Sequence, residues 1–457
     1  MTTAQLEPII IVAAHFAPES HAAMFRAFRL AKYLPAFGFR PIVVTTDTNY
    51  VYLEDPSLLP QLPPEAVVIR ARYVEPTLRG LRMLAGGDAR TTQSLSAAAA
   101  ATDAPLAAAS EPKDRLGAFS RRAYQRLLND WVQVPDRYNT WVGPAIEACE
   151  RAVIEYGARL IWTTSQPFSC NTIGLAMKQR GLRWIADFRD PLPYGRKFMS
   201  DNPRVARLQT ENVRDTVYGA DAITVISSIH PLILQDACDP VRLRPMHHIP
   251  TGIDEAYLPA DRPTPDPANP VLVYAGEFIP DYANGFFDLF AEVANELSAE
   301  GRNLTMQVVG SKLINVPRLS GTIASLGLQE RVVFVDHLPQ PELYRLLVAA
   351  DAALLFPGQN SHWWNSFAKL NDYIGLGLQV IADVPNPSEA RKELDRAGLG
   401  HFLDGSKEER LATFRRALEG DLPATAQQVA YRSRYLSGRQ VGDLARLFRS
   451  VLDGPAS

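Results

Sequence analysis

The sequence predicts an α/β protein built from two doubly wound parallel sheets, and three observations predict it. Short, uninterrupted apolar runs alternate with helix-period segments along most of the chain. The alternation breaks off once and restarts after Pro245, and 457 residues is a length for two or three domains. Strands buried on both faces read as continuous apolar runs, which is how parallel sheets appear in sequence. A composition of 46% hydrophobic and 21% charged residues is that of a globular chain.

The first run is Ile9–Ala14, followed by a polar loop His15–His21. A helix with apolar positions Phe25, Phe28, Leu30, Ala31 and Leu34 comes next and is expected to end near Gly38. Pro41–Thr46 is the second buried strand, completing a strand–helix–strand unit. Arg159–Thr164, Trp184–Asp187 and Ala222–Ile226 continue the rhythm, so residues 1–245 are expected to form the first domain. Within it, residues 86–113 are rich in Ala, Ser, Thr and Gly with almost no large apolar side chain. Such a segment cannot offset its ordering entropy and reads as a disordered insertion, with a transient helix near Ala98–Ala101 left open.

Residues 246–269, rich in Pro and Asp, read as a linker. Five more apolar strands follow: Val271–Ala275, Thr305–Val309, Val332–Val335, Ala352–Phe356 and Gln379–Ala382. Helical stretches such as Phe286–Leu297 and Pro341–Ala350 separate them, giving a second domain over 270–425. The arginine-rich tail 426–457, amphipathic over Ala430–Leu452, is expected to form a final helix returning to the first domain. Two such domains are expected to face a ligand cleft at the carboxyl ends of their strands.

Charge and cysteines narrow the function classes. With 47 Lys+Arg against 50 Asp+Glu the net charge is −3, which argues against a generic nucleic-acid binder. No run approaches the ~18 apolar residues of a membrane-spanning helix. The N-terminus has neither a basic flank nor a cleavage site before Ile9, so no secretory signal is expected. Cys149, Cys170 and Cys238 form no metal or disulfide spacing, in keeping with a reducing cytoplasm. Only eight of the 47 cations are lysines, so each lysine draws notice.

Seven segments, in order, resemble the GT-B-fold glycosyltransferases of the large retaining family 4, in particular a bacterial branch that builds surface polysaccharides. They are Phe16–Thr46, Pro135–Ile146 (PDRYNTWVGPAI), Thr163–Ser169 (TTSQPFS), Trp184–Pro191 (WIADFRDP), Ile249–Asp254 (IPTGID), Tyr274–Phe278 (YAGEF) and Ala368–Gly377 (AKLNDYIGLG). The resemblance covers nearly the whole chain apart from the insertion. It implies two Rossmann-like domains and transfer of a sugar from a nucleotide-diphosphate donor, with retention and without a metal or other cofactor. No two aspartates are separated by one residue, so the metal-binding Asp-x-Asp of the other major glycosyltransferase fold is absent. A metal-free site must neutralise the leaving diphosphate with cations, helix N-termini and fixed dipoles.

The resemblance places Lys369, with Leu370 beside it, at the donor phosphates, and Asp372 at the ribose hydroxyls, where the family has Glu. The alternative is an exposed i,i+3 ion pair worth ~0.3 kcal/mol. The family's second glutamate, eight residues before the ribose acid, is replaced here by Trp364, and no carboxylate lies between Pro357 and Asp372. An indole packs on a sugar face but accepts no hydroxyl hydrogen bonds, leaving Asn360, His362 and Asn365 as polar neighbours. After Gly276, many members have arginine where this chain has Glu277. Gly276 is therefore expected to allow close backbone approach, with Glu277 on the sugar or acceptor side. Gly310 and Ser311 are expected to offer backbone amides to the nucleotide, Lys312 a second cation, and His337 a border to the nucleobase. For the glycines, an ordinary strand-end turn is equally open.

In the first domain the loop after Ile9–Ala14 has no glycine. Small Ser20, Ala22 and Ala23 still permit close approach, His21 is a substrate-contact candidate against a plain surface histidine, and Arg26 matches the family's helix arginine. Arg189 and Asp190, at a strand end with Asp187, are read as acceptor or sugar contacts, with a self-contained salt-bridge network as the alternative. The basic segment Lys113–Trp131 interleaves Lys113, Arg115, Arg121, Arg122 and Arg126 with Leu116, Phe119, Leu127, Leu128 and Trp131. Contact with an anionic inner-membrane surface and packing on the domain stand equal. The expected activity is thus glycosyl transfer to a lipid-linked or glycan acceptor in surface-polysaccharide synthesis, by a cytoplasmic enzyme peripheral to the inner membrane. A non-catalytic scaffold with a degenerate donor site, favoured by Trp364 and Glu277, and a sugar-nucleotide epimerase are the alternatives.

Overall fold

The structure, a computed structural model, describes residues 6–20, 22–48, 54–77, 80, 128–190, 200–236, 238–239, 244–278, 285–356, 363–364, 366–419 and 424–454. The insertion 86–113, the basic segment as far as residue 127, His21, Asn360, His362 and Asn365 lie outside the described residues. The chain divides into two compact units, residues 1–249 with 441–457, and residues 250–440.

The first unit holds a seven-stranded sheet of β1 (Glu7–Val12), β2 (Phe39–Thr46), β3 (Val67–Ala71), β4 (Leu160–Ser165), β5 (Arg183–Phe188), β6 (Ala222–Val225) and β7 (Met246–His248). Its order is β3-β2-β1-β4-β5-β6-β7, and the pairings are all parallel. Side chains alternate across a strand, so a strand buried on both faces feeds two cores. Ile10 and Val12 pack with Trp141, Ile161 and Trp184 on one face. Ile9 and Ile11 pack with Phe28, Trp162 and Phe448 on the other. The helices Val142–Tyr156 and Ser169–Gln179 cover the first face; Phe25–Tyr33 and the C-terminal Ser437–Asp453 cover the second.

The second unit repeats the plan with β8 (Val271–Ala275), β9 (Thr305–Val309), β10 (Val332–Val335), β11 (Ala352–Leu355), β12 (Val380–Ala382) and β13 (Gly400–Phe402). The order is β10-β9-β8-β11-β12-β13, again parallel. Leu272 and Tyr274 face a core of phenylalanines, including Phe286, Phe290 and Phe414, while Val273 faces Leu347, Ile374 and Tyr435. This is the two-domain α/β fold class expected from the sequence.

Two boundaries differ from expectation. Residues 246–269 do not begin as a linker: Met246–His248 pair in parallel with β6, Ile223 opposite Met246. The strand was hidden because it is three residues long, half-buried and two-thirds histidine. Nor does all of 426–457 join the first unit, since residues up to Gln440 remain with the second. The reason is a pair of phenols: Tyr431 Oη donates to Glu393 Oε2 at 2.5 Å, and Tyr435 Oη donates to the same oxygen. Among the described residues no helix is long and apolar enough to cross a membrane.

Candidate functional site

In a doubly wound sheet the strand order reverses at one point, and the loops leaving the two strands there diverge to opposite faces, opening a crevice at their carboxyl ends. In the second unit the reversal lies between β8 and β11. Strand β8 runs out into Gly276-Glu277, β9 into Gly310-Ser311 and β10 into Asp336-His337, while the helix Ala368–Leu376 follows β11.

The turns after β8 and β9 touch. Gly276 (φ +113°) donates its amide to Val309 O at 2.7 Å. A Cβ on Gly310 (φ +150°) would stand 2.7 Å from Gly276 O, so only glycine fits there. Fully buried Asn315 clamps the first turn from below: its Nδ2 donates to Gly276 O at 3.0 Å, and its Oδ1 accepts from Phe278 N at 2.8 Å. The amide thereby satisfies two backbone groups that an exposed turn would leave to water.

Lys369 closes the crevice. Its Nζ lies 3.8 Å from the centroid of the Tyr274 ring, and a Cβ on Gly276 would meet that Nζ at 3.4 Å. Among the described residues Lys369 makes no ion pair with Asp372, so the i,i+3 alternative is not what is formed. Burial pushes the Lys369 ammonium down to about 7, opposed by the Glu277 carboxylate. Burial in turn raises Glu277, against Arg318 and then Lys369, which lower it. A desolvated cation set over a π face, in the field of a carboxylate but with no ion pair among the described residues, is poised to gain from an incoming anion. Asp372 accepts from Tyr344 Oη at 2.9 Å, and Tyr344 Oη accepts from Gln340 Nε2 at 2.9 Å. Ser311 precedes the helix Lys312–Ser325 without capping it through its side chain; Lys312 and His337 are exposed.

Two expectations for this unit need correction. Leu370 is fully buried with Ile374, Leu355 and Ile253 and anchors the helix instead of touching a donor, because it points to the core one step round from Lys369. Trp364 is 7% exposed, so its faces are already covered; its neighbour Trp363, at 41%, is the exposed indole.

The first unit's reversal lies between β1 and β4. Arg26 is 1% exposed, and its guanidinium grips Asp187 bidentately, Nε to Oδ2 at 2.9 Å and Nη2 to Oδ1 at 2.7 Å. Thr164 and Thr224 donate to the same carboxylate at 2.8 and 2.5 Å. Arg26 is therefore a structural partner of Asp187, not a substrate contact as expected. Arg189 is part-buried and lowered from its usual pKa by burial; it donates to Ala23 O at 2.8 Å and to Gln166 O, tying two strand-end loops together. Ser20 and Asp190 are half-buried near these loops.

A cluster the sequence did not signal stands here too. His15 Nδ1 is 2.9 Å from Glu19 Oε2, and His15 Nε2 is 3.2 Å from the hydroxyl of Tyr138, which stacks on Tyr73 with centroids 4.8 Å apart. The four residues come from three separated segments, so no spacing rule finds them. In the second unit Asn315, Arg318 and Tyr344 went unread for the same reason.

No protein-family model and no curated protein matches the sequence. Solved structures do. Sucrose-phosphate synthase from Thermosynechococcus elongatus is 15% identical, covering 98% of this chain and 99% of its own, with a TM-score of 0.58. Anabaena HepE in complex with UDP is 13% identical, covering 97% and 100%, TM-score 0.58. The fold is that of GT-B glycosyltransferases. A putative UDP-N-acetylglucosamine 2-epimerase from Listeria monocytogenes is also similar, 12% identical over 98% and 97%, TM-score 0.54.

Proposed function

We propose that this GT-B chain is a glycosyltransferase whose second unit binds a nucleotide-diphosphate sugar. The observation that carries the reading is Lys369, enclosed over Tyr274 and against Gly276 at the reversal of the second sheet. That ammonium neutralises the diphosphate, and the two strand-end glycines let backbone approach it. The amides at the start of the helix Lys312–Ser325 add their dipole, with Lys312 and Ser311 flanking them. Asp372, oriented by Tyr344, takes the ribose hydroxyls, and His337 borders the base. As the bond from the anomeric carbon to the diphosphate breaks, its electron pair leaves with the phosphate oxygen, and fixed positive charge there lowers the barrier. Retention at that carbon follows from a front-face attack, which requires neither a general base nor a metal.

The first unit, through Ser20, Arg189 and Asp190, takes a lipid-linked or glycan acceptor, and the product enters a surface polysaccharide. A cytoplasmic location at the inner-membrane surface is supported by Trp131, 64% exposed at the end of the basic segment, with the Arg204 guanidinium 4.1 Å from its ring centroid. The likeness to a putative epimerase favours a second reading, in which the same donor site serves a reaction without an acceptor.

A thermal-shift screen against UDP, GDP, ADP, CDP and TDP tests the donor site, because a ligand that binds the native state raises the melting temperature. At least one should stabilise the protein, and Lys369→Ala should abolish that shift. No shift with any of them, at concentrations far above typical affinities, sinks the reading. A sugar nucleotide isomerised without an added acceptor would decide for the epimerase.

A further inference from the structure

Arg318 lies on the helix Lys312–Ser325, away from every motif of the sequence. Its Nη1 donates to Phe278 O at 3.1 Å, which pins the guanidinium beside the turn after β8. The same nitrogen stands 3.7 Å from Glu277 Oε2, both side chains 31% exposed. Among the described residues, its Nε and Nη2 take no protein acceptor. Lys369 Nζ stands against Gly276, the residue before Glu277. Arg318 and Lys369 both lower the pKa of this carboxylate while burial raises it, and it meets Arg318 beyond hydrogen-bond length. One weakly held anion lies in the field of two cations, and a planar guanidinium with an edge unmatched among the described residues suits phosphate oxygens better than a single distant carboxylate oxygen does.

Resting on the diphosphate reading of this site, we propose that Glu277 is a resident anion that occupies the Lys369–Arg318 cation pair while the site is empty. A nucleoside diphosphate displaces it, and Arg318 then supplies the second phosphate contact. This gives a physical role to an acid that otherwise stands where negative charge is unfavourable. It also replaces, from a neighbouring helix, the arginine missing after Gly276. Glu277 competes with the ligand for the same positive field, so its removal strengthens binding, whereas a sugar-contacting acid would weaken it.

The test is calorimetric titration of inorganic pyrophosphate and of UDP into the full chain at low salt, comparing wild type, Glu277→Gln, Arg318→Gln and Lys369→Ala. Arg318→Gln removes the charge, while Asn315 still clamps the turn through Gly276 O and Phe278 N. Glu277→Gln should tighten both ligands about three- to tenfold, and Arg318→Gln should weaken both about tenfold, the range for desolvated charge partners. Unchanged or weaker binding by Glu277→Gln, while wild type binds and Lys369→Ala does not, overturns the resident-anion role and leaves the donor site standing. Failure of wild type and Glu277→Gln alike to bind either ligand brings down the diphosphate reading itself.

Discussion

The two units each hold a cation near the reversal of their sheets, and they treat it in opposite ways. In the first, Arg26 meets Asp187 through two charge-assisted hydrogen bonds, and two threonines satisfy the remaining carboxylate lone pairs. In the second, among the described residues, Lys369 lies over the face of Tyr274 and feels the Glu277 carboxylate, whose ion pair is with Arg318. A buried charge that is fully paired contributes structure; one left short of partners costs stability and is retained where a ligand completes it. The same sheet plan thus holds an internally closed charge in one half and an open one in the other.

The sharpest way to break this contrast is Arg26→Ala. It strands Asp187 at 0% exposure without its partner and should destabilise the protein by ~3–5 kcal/mol in urea unfolding. A loss under ~1 kcal/mol would mean that Asp187 is not committed to the pair. Asn315→Ala comes next. It removes both hydrogen bonds that clamp the turn after Gly276 and should cost about 2 kcal/mol, with weaker UDP binding in a calorimetric titration.

Lys369→Met should run the other way. Deleting a half-buried, under-paired ammonium should stabilise the unliganded protein by about 1 kcal/mol while removing diphosphate binding, a trade of stability for function. The pH dependence fixes the sign. The folded-state pKa is lowered to about 7, whereas an unfolded lysine titrates near ~10.4. Between those values the unfolded chain binds more protons, so wild type gains stability relative to Lys369→Met as pH rises from 7 towards 10. A flat difference over that window would show that the ammonium is well solvated. The smallest expected effect is that of Tyr344→Phe, which frees Asp372 from its phenol partner. It should weaken UDP binding about threefold and leave pyrophosphate binding unchanged if Asp372 meets the ribose as proposed.

Much of the fold was legible because buried parallel strands announce themselves as apolar runs. Pro41–Thr46 and Val271–Ala275 lie within observed strands, and the expected Ile9–Ala14 overruns its strand by the two alanines at its end. The strands that escaped are the sheet margins β3, β7 and β13, where partial exposure removes the apolar signature. Lys369 and Asp372 were singled out from one segment, and the structure sets Lys369 against Gly276 from another. Leu370 and Arg26 show the limit of that approach. A motif gives the order of residues, whereas the turn of a helix decides which of two neighbours meets the core and which meets the crevice. Arg318, Asn315 and the His15–Glu19–Tyr138 cluster depend on segments brought together by the fold, so they carry no local signature.

Titration of UDP into wild type and Lys369→Met between pH 6 and 9, in buffers of differing ionisation enthalpy, tests the open charge most directly. An ammonium completed by phosphate should make wild-type binding take up a proton above pH 7, with affinity falling by up to about tenfold per pH unit, while the variant shows neither binding nor proton uptake. Equal UDP affinity in the two proteins across that range would contradict the assignment of Lys369 as the cation of a donor site.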